Sequence, residues 1–357
     1  MDLLVYGSYG YTGRLIAHRL VRRGREPRLA GRNRDRLEDQ ADALGLESRA
    51  FSLDGPTEGI VEYLEGFDAV LNCAGPFVDT CGPLVEACLE AGTDYLDITG
   101  ELRVFEDLIE NDDRAREAGI ALLPGAGFDI VPSDCLAAFL ADQLGSVEEL
   151  TIGIAGGASI SAGTARTILR MAGEGAVVRR EGRLRRVPAA DDVREIEFGR
   201  GYGTRSAVTV PWADVVSAPR STGAEDVTAY AAVPSPAIGL MRRMGRLAPL
   251  VGSRPARWLG DRLIDAAISG PSARERATGS AVVWAEATDG DDVARGRVET
   301  SEPYGFTAQA ATAISERVVA GEVDPGYQTP ATALGPDLVL EFPGVDRELL
   351  VAPGEEP

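Results

Sequence analysis

The chain has 357 residues, a length that points to two domains, and its 44% hydrophobic content is enough for full cores without disulfides or metals. Its formal net charge of −20 repels nucleic acid and anionic headgroups at moderate salt. All 36 basic residues are arginine, so lysine Schiff bases, a P-loop lysine and a lysine general acid are excluded.

Acidity with no lysine suits a salt-loaded, halophilic cytoplasm. Near molar salt the Debye length is about 3 Å and surface charges repel weakly. A GC-rich coding bias accounts for the missing lysine equally well. A single histidine, His18, excludes histidine triads and multi-histidine metal sites. Cys73, Cys81, Cys88 and Cys135 form no CxxC, so no metal is expected and the thiols read as reduced. No basic leader precedes the first apolar run, and no run of about 18 apolar residues occurs. The expected location is cytoplasmic.

In chain order, residues 1–6 read as one buried strand. The turn GSYGYTG follows, with Gly7, Gly10 and Gly13 spaced GxxGxxG. An amphipathic helix then begins at Arg14. Strand, glycine turn and helix together bring backbone N–H groups at a helix N-terminus against a pyrophosphate. Gly7 permits the turn, Gly10 lets the backbone approach phosphate, and Gly13 lets helix and strand pack closely. Residues Gly7, Ser8, Tyr9, Gly10, Tyr11, Thr12 and Gly13 are the expected pyrophosphate loop.

The second strand, residues 28–30, ends in Gly31-Arg32-Asn33. An NAD-selective fold wants an acid there for the ribose 2′-hydroxyl. Arg32 instead suits a 2′-phosphate, which favours NADP over NAD. The plain alternative is that Arg32 and Arg34 are solvated arginines at a helix start. A helix over 33–44 leads to a strand over 49–53 and to Asp54, which either accepts from the adenine amino group or caps the next helix. After a helix over 59–65, the strand 68–73 ends in Asn72, Ala74, Gly75 and Pro76. These border the nicotinamide side of a switch point, with Phe77 as a further wall. A helix over 82–90, a strand over 93–98, a helix over 102–117 and a strand over 120–123 complete the alternation. Six strands alternating with helices predict an α/β fold with a doubly wound parallel sheet of Rossmann type.

Five segments resemble one family: GSYGYTGRL, AGRN, NCAGPF, ACLEAGTDYLDITGE and GAGFDIVPSD, in that order. The chain resembles the saccharopine dehydrogenase-like oxidoreductases, in the branch that includes trans-acting enoyl reductases. The resemblance is strong to about residue 135 and weaker beyond. It implies an NAD(P)-binding domain joined to a mixed α/β domain at an interdomain cleft. It also implies reduction of a carbon–carbon double bond on a lipid or polyketide intermediate carried by a partner synthase.

The expected domains are 1–135 for the cofactor, 136–330 for a mixed α/β substrate or partner domain, and 331–357 as a tail returning toward the first. In the second half, residues 132–144 read as a helix and 150–154 as a strand. The Gly/Ser-rich loop 155–163 is a candidate substrate or phosphate loop. Residues 165–176 read as a helix and 177–187 as an arginine-rich hairpin. Residues 207–211 and 227–233 read as strands. The segment 238–268 reads as an amphipathic, arginine-rich helix carrying Trp258, packed on its own domain or lying on lipid. A hairpin spans 281–300, and residues 303–320 are mostly helix.

The functional expectation is an NADP-dependent oxidoreductase acting on a lipid or isoprenoid enoyl intermediate. A carrier or synthase partner, peripheral membrane contact and a homodimer accompany that expectation. The alternatives are an amino-acid-type imine dehydrogenase and a non-catalytic cofactor-binding protein. Candidate proton donors at the carboxyl edge of the sheet are Tyr95, Asp97, Glu101 and Asp129, with water as a further source.

Overall fold

β1 (Leu3–Tyr6) is buried at every position because it runs between two parallel neighbours at the centre of a sheet. The structure is a computed structural model. It describes residues 2–156, 161, 175–199, 201–245 and 270–355. The chain divides into two units: Met1–Val131 with Tyr304–Leu334, and Pro132–Pro303 with Gly335–Pro357.

In the first unit β1 is followed by α1 (Tyr11–Arg22), β2 (Arg28–Gly31), α2 (Arg34–Leu44), β3 (Ser48–Ala50) and α3 (Thr57–Leu64). Then come β4 (Ala69–Asn72), α4 (Phe77–Ala91), β5 (Asp94–Asp97), α5 (Leu102–Glu110), α6 (Asp112–Ala118) and β6 (Ala121–Leu123). The strand order is β6-β5-β4-β1-β2-β3, all parallel. The order reverses between β1 and β4, which opens a crevice at their carboxyl ends. The amphipathic reading of α1 holds. Ile16 and Leu20 are buried, and His18 is exposed. All four cysteines are free and buried.

The helices at 77–91 and 102–118 differ from the sequence expectation for reasons the hydrogen bonds show. α4 begins five residues before Gly82, because the Glu101 carboxylate accepts from the Phe77 and Val78 N–H groups at 3.2 and 3.0 Å. That cap lies more than 20 residues away, and no local pattern reveals it. The single helix expected over 102–117 is two. At Asn111 the side-chain amide donates to the Asp107 carbonyl at 2.8 Å, a side-chain-to-backbone bond of the kind that competes with helix continuation.

The second unit opens with α7 (Val131–Leu144) and β7 (Glu149–Gly156). β8 (Ala176–Arg180) and β9 (Arg183–Val187) form the expected hairpin, with Glu181 and Gly182 both at positive φ. On β9, Arg183, Arg185 and Arg186 are exposed. Next come β10 (Val193–Glu197), β11 (Thr204–Thr209), α8 (Asp214–Thr222), β12 (Asp226–Ala232), α9 (Ser235–Gly245) and α10 (Ala273–Thr278). β10 has no counterpart in the sequence expectation. β13 (Ser280–Asp289) and β14 (Asp292–Ser301) pair as the long hairpin read from sequence. The Gly/Ser loop up to residue 163, the helix over 165–176 and the Trp258 segment lie largely or wholly outside the described residues.

The chain then returns to the first unit. α11 (Pro303–Val319), β15 (Gly326–Tyr327) and α12 (Pro330–Leu334) follow, and β15 extends the parallel sheet beyond β6. Glu316 on α11 binds Arg23 and Arg25, and Thr307 accepts from the Phe128 N–H at 3.0 Å. From Gly335 the chain belongs to the second unit. A 3₁₀ turn (Pro336–Glu341) leads to β16 (Asp346–Val351), which pairs with β14. The second sheet runs β10-β11-β12-β7-β13-β14-β16, with the β8–β9 hairpin attached to β12. It is mixed: β12 and β7 are parallel, and β7 and β13 antiparallel. Among the described residues, no helix is long and apolar enough to cross a membrane.

Candidate cofactor site

The turn between β1 and α1 is shaped by what a side chain would hit. Gly7 has φ +76°, and a Cβ there would lie 2.8 Å from both the Ala74 nitrogen and the Ala74 Cβ. A Cβ at Gly13 would lie 2.5 Å from the Gly7 carbonyl oxygen. Gly10 is the N-cap of α1, with no side-chain cap and no acid in the first turn. The first N–H groups of a helix have no partners within it, so this end suits an anion. The ends of α2 and α4 are different. Asn33 caps α2 by accepting from Arg36 N–H at 3.0 Å, and Glu101 fills the end of α4.

Ser8 is fully buried. Its hydroxyl donates to Gln40 at 2.8 Å, and the Gln40 amide donates back to the Ser8 carbonyl at 3.0 Å. Ser8 therefore holds the loop rather than presenting its side chain. The Tyr9 hydroxyl accepts from the Asn33 N–H at 3.1 Å, and the Arg36 guanidinium lies 4.8 Å over the Tyr9 ring. The Tyr11 ring meets Tyr304 edge-on at 5.1 Å, and Thr12 is partly exposed in the first turn.

At the end of β2 three arginines have different fates. Arg34 pairs with Glu38 at 3.5 Å, and Arg36 covers Tyr9. Arg32 is exposed, and its guanidinium has no hydrogen-bond or ion-pair partner among the described residues. Asp54 does not cap α3, whose N-cap is Pro56; it accepts from the Ser52 hydroxyl at 2.7 Å. An uncapped, acid-free helix end, a glycine cradle that a Cβ would fill and a free guanidinium beyond β2 fit a dinucleotide carrying a 2′-phosphate.

The carboxyl ends of β4, β5 and β6 are joined by a buried polar chain. Asn72, Tyr95 and Asp97 are each 0% exposed. Asn72 donates to the Tyr95 hydroxyl at 3.2 Å, and Tyr95 donates to Asp97 Oδ2 at 3.0 Å. Asp97 Oδ1 accepts from the Thr99 and Gly125 N–H groups at 3.0 and 2.9 Å. Tyr95 and Asp97 thus brace three loops from inside, and neither side chain has surface with which to meet a substrate. Asp129 lies beside Gly100, partly buried, where a Cβ on Gly100 would be 3.0 Å from its own Cβ. Burial pushes its carboxyl up to about 6, with Glu101 adding repulsion. Ala74 and Pro76 are partly exposed and Gly75 exposed at the mouth of the crevice, with the Gly75–Pro76 peptide cis.

Asp97 gives a pH prediction. Burial pushes it up to about 6, against the opposing pull of the Gly125 and Thr99 N–H groups and the Tyr95 hydroxyl. An unfolded aspartate titrates near 3.9. The folded form therefore holds its proton more tightly. Its stabilising contribution is complete below about pH 4 and is lost as pH rises through about 6. Taking the wild type from pH 7 to pH 5 should add about 1 kcal/mol from this group, and Asp97→Asn should lack that share. Urea unfolding at both pH values measures it. Equal pH responses in the two proteins would refute the assignment.

Residues 3–123 match the family model described as the saccharopine dehydrogenase NADP binding domain. The chain thus carries, over these residues, a segment similar to the NADP-binding domain of saccharopine dehydrogenases. NADP is accordingly its cofactor. The NADP-binding domain is similar to trans-acting enoyl reductases of Mycobacterium bovis and Mycobacterium leprae, 36% and 35% identical over 140 residues, or 37% of this chain and 34% of each relative. The match thus spans about a third of the length of those curated relatives. In fold the whole chain is similar to apo saccharopine dehydrogenase (L-Glu forming) from Saccharomyces cerevisiae, with TM-score 0.68, 12% identity and coverage of 98% and 99% of the two chains.

Sequence reasoning placed the glycines, Arg32 and the β4 turn at one sheet edge. It missed Gln40, which clasps Ser8, and Thr80, which bonds both Asn72 and the Ala74 carbonyl. Neither residue carries a spacing signal, since each partner is distant in sequence or belongs to the backbone.

Proposed function

We propose that the chain is an NADP-dependent oxidoreductase that reduces the carbon–carbon double bond of a lipid or isoprenoid enoyl intermediate, presented by a carrier or synthase. The observation that carries the cofactor half is the free Arg32 guanidinium beyond an uncapped α1. The enoyl half is supported by the names of the relatives that share the NADP-binding domain.

The reduced nicotinamide, when bound, supplies hydride for the β-carbon. The chain's residues bind and orient. The α1 N-terminus and the 7–13 loop hold the pyrophosphate, Arg32 holds the 2′-phosphate, and the turn Ala74–Pro76 walls the nicotinamide side. The α-carbon needs a proton. Of the candidates, Tyr95, Asp97 and Glu101 are buried, and Asp129, which is partly exposed, is the assigned donor. Its raised titration holds a protonated fraction near neutral pH.

NADPH oxidation with an enoyl thioester, run beside an imine substrate, tests this reading. Asp129→Asn should lower enoyl turnover by about a hundredfold while leaving NADPH affinity unchanged. Turnover of the imine alone would overturn the enoyl assignment. An unimpaired Asp129→Asn variant would move the proton source to water.

A further inference from the structure

The loop after β4 is held by the side chains of Asn72 and Thr80. The Asn72 Oδ1 accepts from the Ala74 N–H at 3.0 Å. The Thr80 hydroxyl donates to the Ala74 carbonyl at 2.7 Å and accepts from the Asn72 amide at 3.0 Å. Both backbone polar groups of Ala74 are therefore fixed by side chains. Thr80 is the only one of these partners outside the β4 strand and its loop; it sits in the first turn of α4.

Ala74 also sets a gap. It lies so close to Gly7 that a Cβ on Gly7 would meet its nitrogen at 2.8 Å. The β1 and β4 loops are thus in contact at the reversal of strand order. In a doubly wound sheet the first three strands serve one nucleotide half and the next three the other. Arg32 places the adenosine half over β1–β3. The nicotinamide half then lies over β4–β6, against the residues that Thr80 restrains.

We propose that Thr80 is a positioning residue for the nicotinamide half of the bound cofactor, acting through Asn72 and Ala74 without touching the ligand. The proposal rests on the NADP-binding reading and makes no use of the enoyl assignment. It requires that Thr80 matter for one half of the dinucleotide and not for the other.

The test is affinity, measured by titration, for two probes: NADPH, and adenosine 2′,5′-bisphosphate, which lacks the nicotinamide half. Thr80→Val keeps the side-chain shape and removes both hydrogen bonds. It should weaken NADPH about tenfold and alter the fluorescence of the bound reduced nicotinamide, while the bisphosphate stays within about twofold of wild type. Thr80→Ser restores the hydroxyl and should restore NADPH affinity. Tyr95→Phe leaves both bonds to Ala74 in place and should have a milder effect than Thr80→Val. If Thr80→Val binds NADPH like the wild type, weakens both probes equally or is not rescued by serine, the proposal fails. A wild type that binds neither probe would instead overturn the cofactor reading itself.

Discussion

Gly7→Ala should destabilise the protein by about 2–5 kcal/mol and abolish measurable NADPH binding. Two costs add. The left-handed backbone at φ +76° penalises any L side chain by about 1–2 kcal/mol. Crowding against the backbone of Ala74, at 2.8 Å, adds about 1–3 kcal/mol because neither loop can yield without opening the crevice. Gly24 separates the two. It has φ +74°, but no atom lies within 4 Å of where a Cβ would sit, so Gly24→Ala should show only the backbone cost. Denaturant unfolding of both variants, with NADPH titration, checks this. Equal losses at the two positions would show that the approach of Ala74 does not restrict Gly7.

Arg32→Ala should weaken NADP about a hundredfold and leave NAD nearly unchanged. A guanidinium on a 2′-phosphate makes two charge-assisted hydrogen bonds, each worth about 1.5–3 kcal/mol when geometry is good. Exposure and salt reduce that total, and the expected discrimination falls accordingly at molar salt. Folding should not change, because the guanidinium holds no other described group. Arg34→Ala is the matched control, since Arg34 is spent on Glu38 at 3.5 Å. Titration of both nucleotides against the three proteins decides the matter. Equal affinity for NAD and NADP in the wild type would remove Arg32 from the site.

Much of this was readable from the chain because the signals are local. The apolar run of β1, the three glycines and the arginine after β2 each occupy one element or its turn. Parallel strands buried on both sides show as continuous apolar runs, and their alternation with amphipathic segments sets the fold class. What could not be read depends on distant partners. Glu101 starts α4 from across the sheet edge, and that moved the helix boundary. Tyr95 and Asp97 have the right chemistry for proton transfer at the right edge of the sheet. Whether they face solvent or one another is decided by side-chain direction across β4, β5 and β6, and they face one another. Asp54 is different: its partner is local, Ser52 two residues back, where the helix ahead competes for the same carboxylate.

The return of residues 304–334 to the first unit reaches beyond the cofactor. The edge strand β15 and the Arg23–Glu316 and Phe128–Thr307 contacts come from chain made after the intervening Pro132–Pro303 segment. On the ribosome, then, the amino-terminal domain emerges unfinished and stays so until the stretch around Leu334 leaves the exit tunnel. A fragment cut after Val131 would carry the phosphate loop but present an uncovered β6 edge to its neighbours in solution.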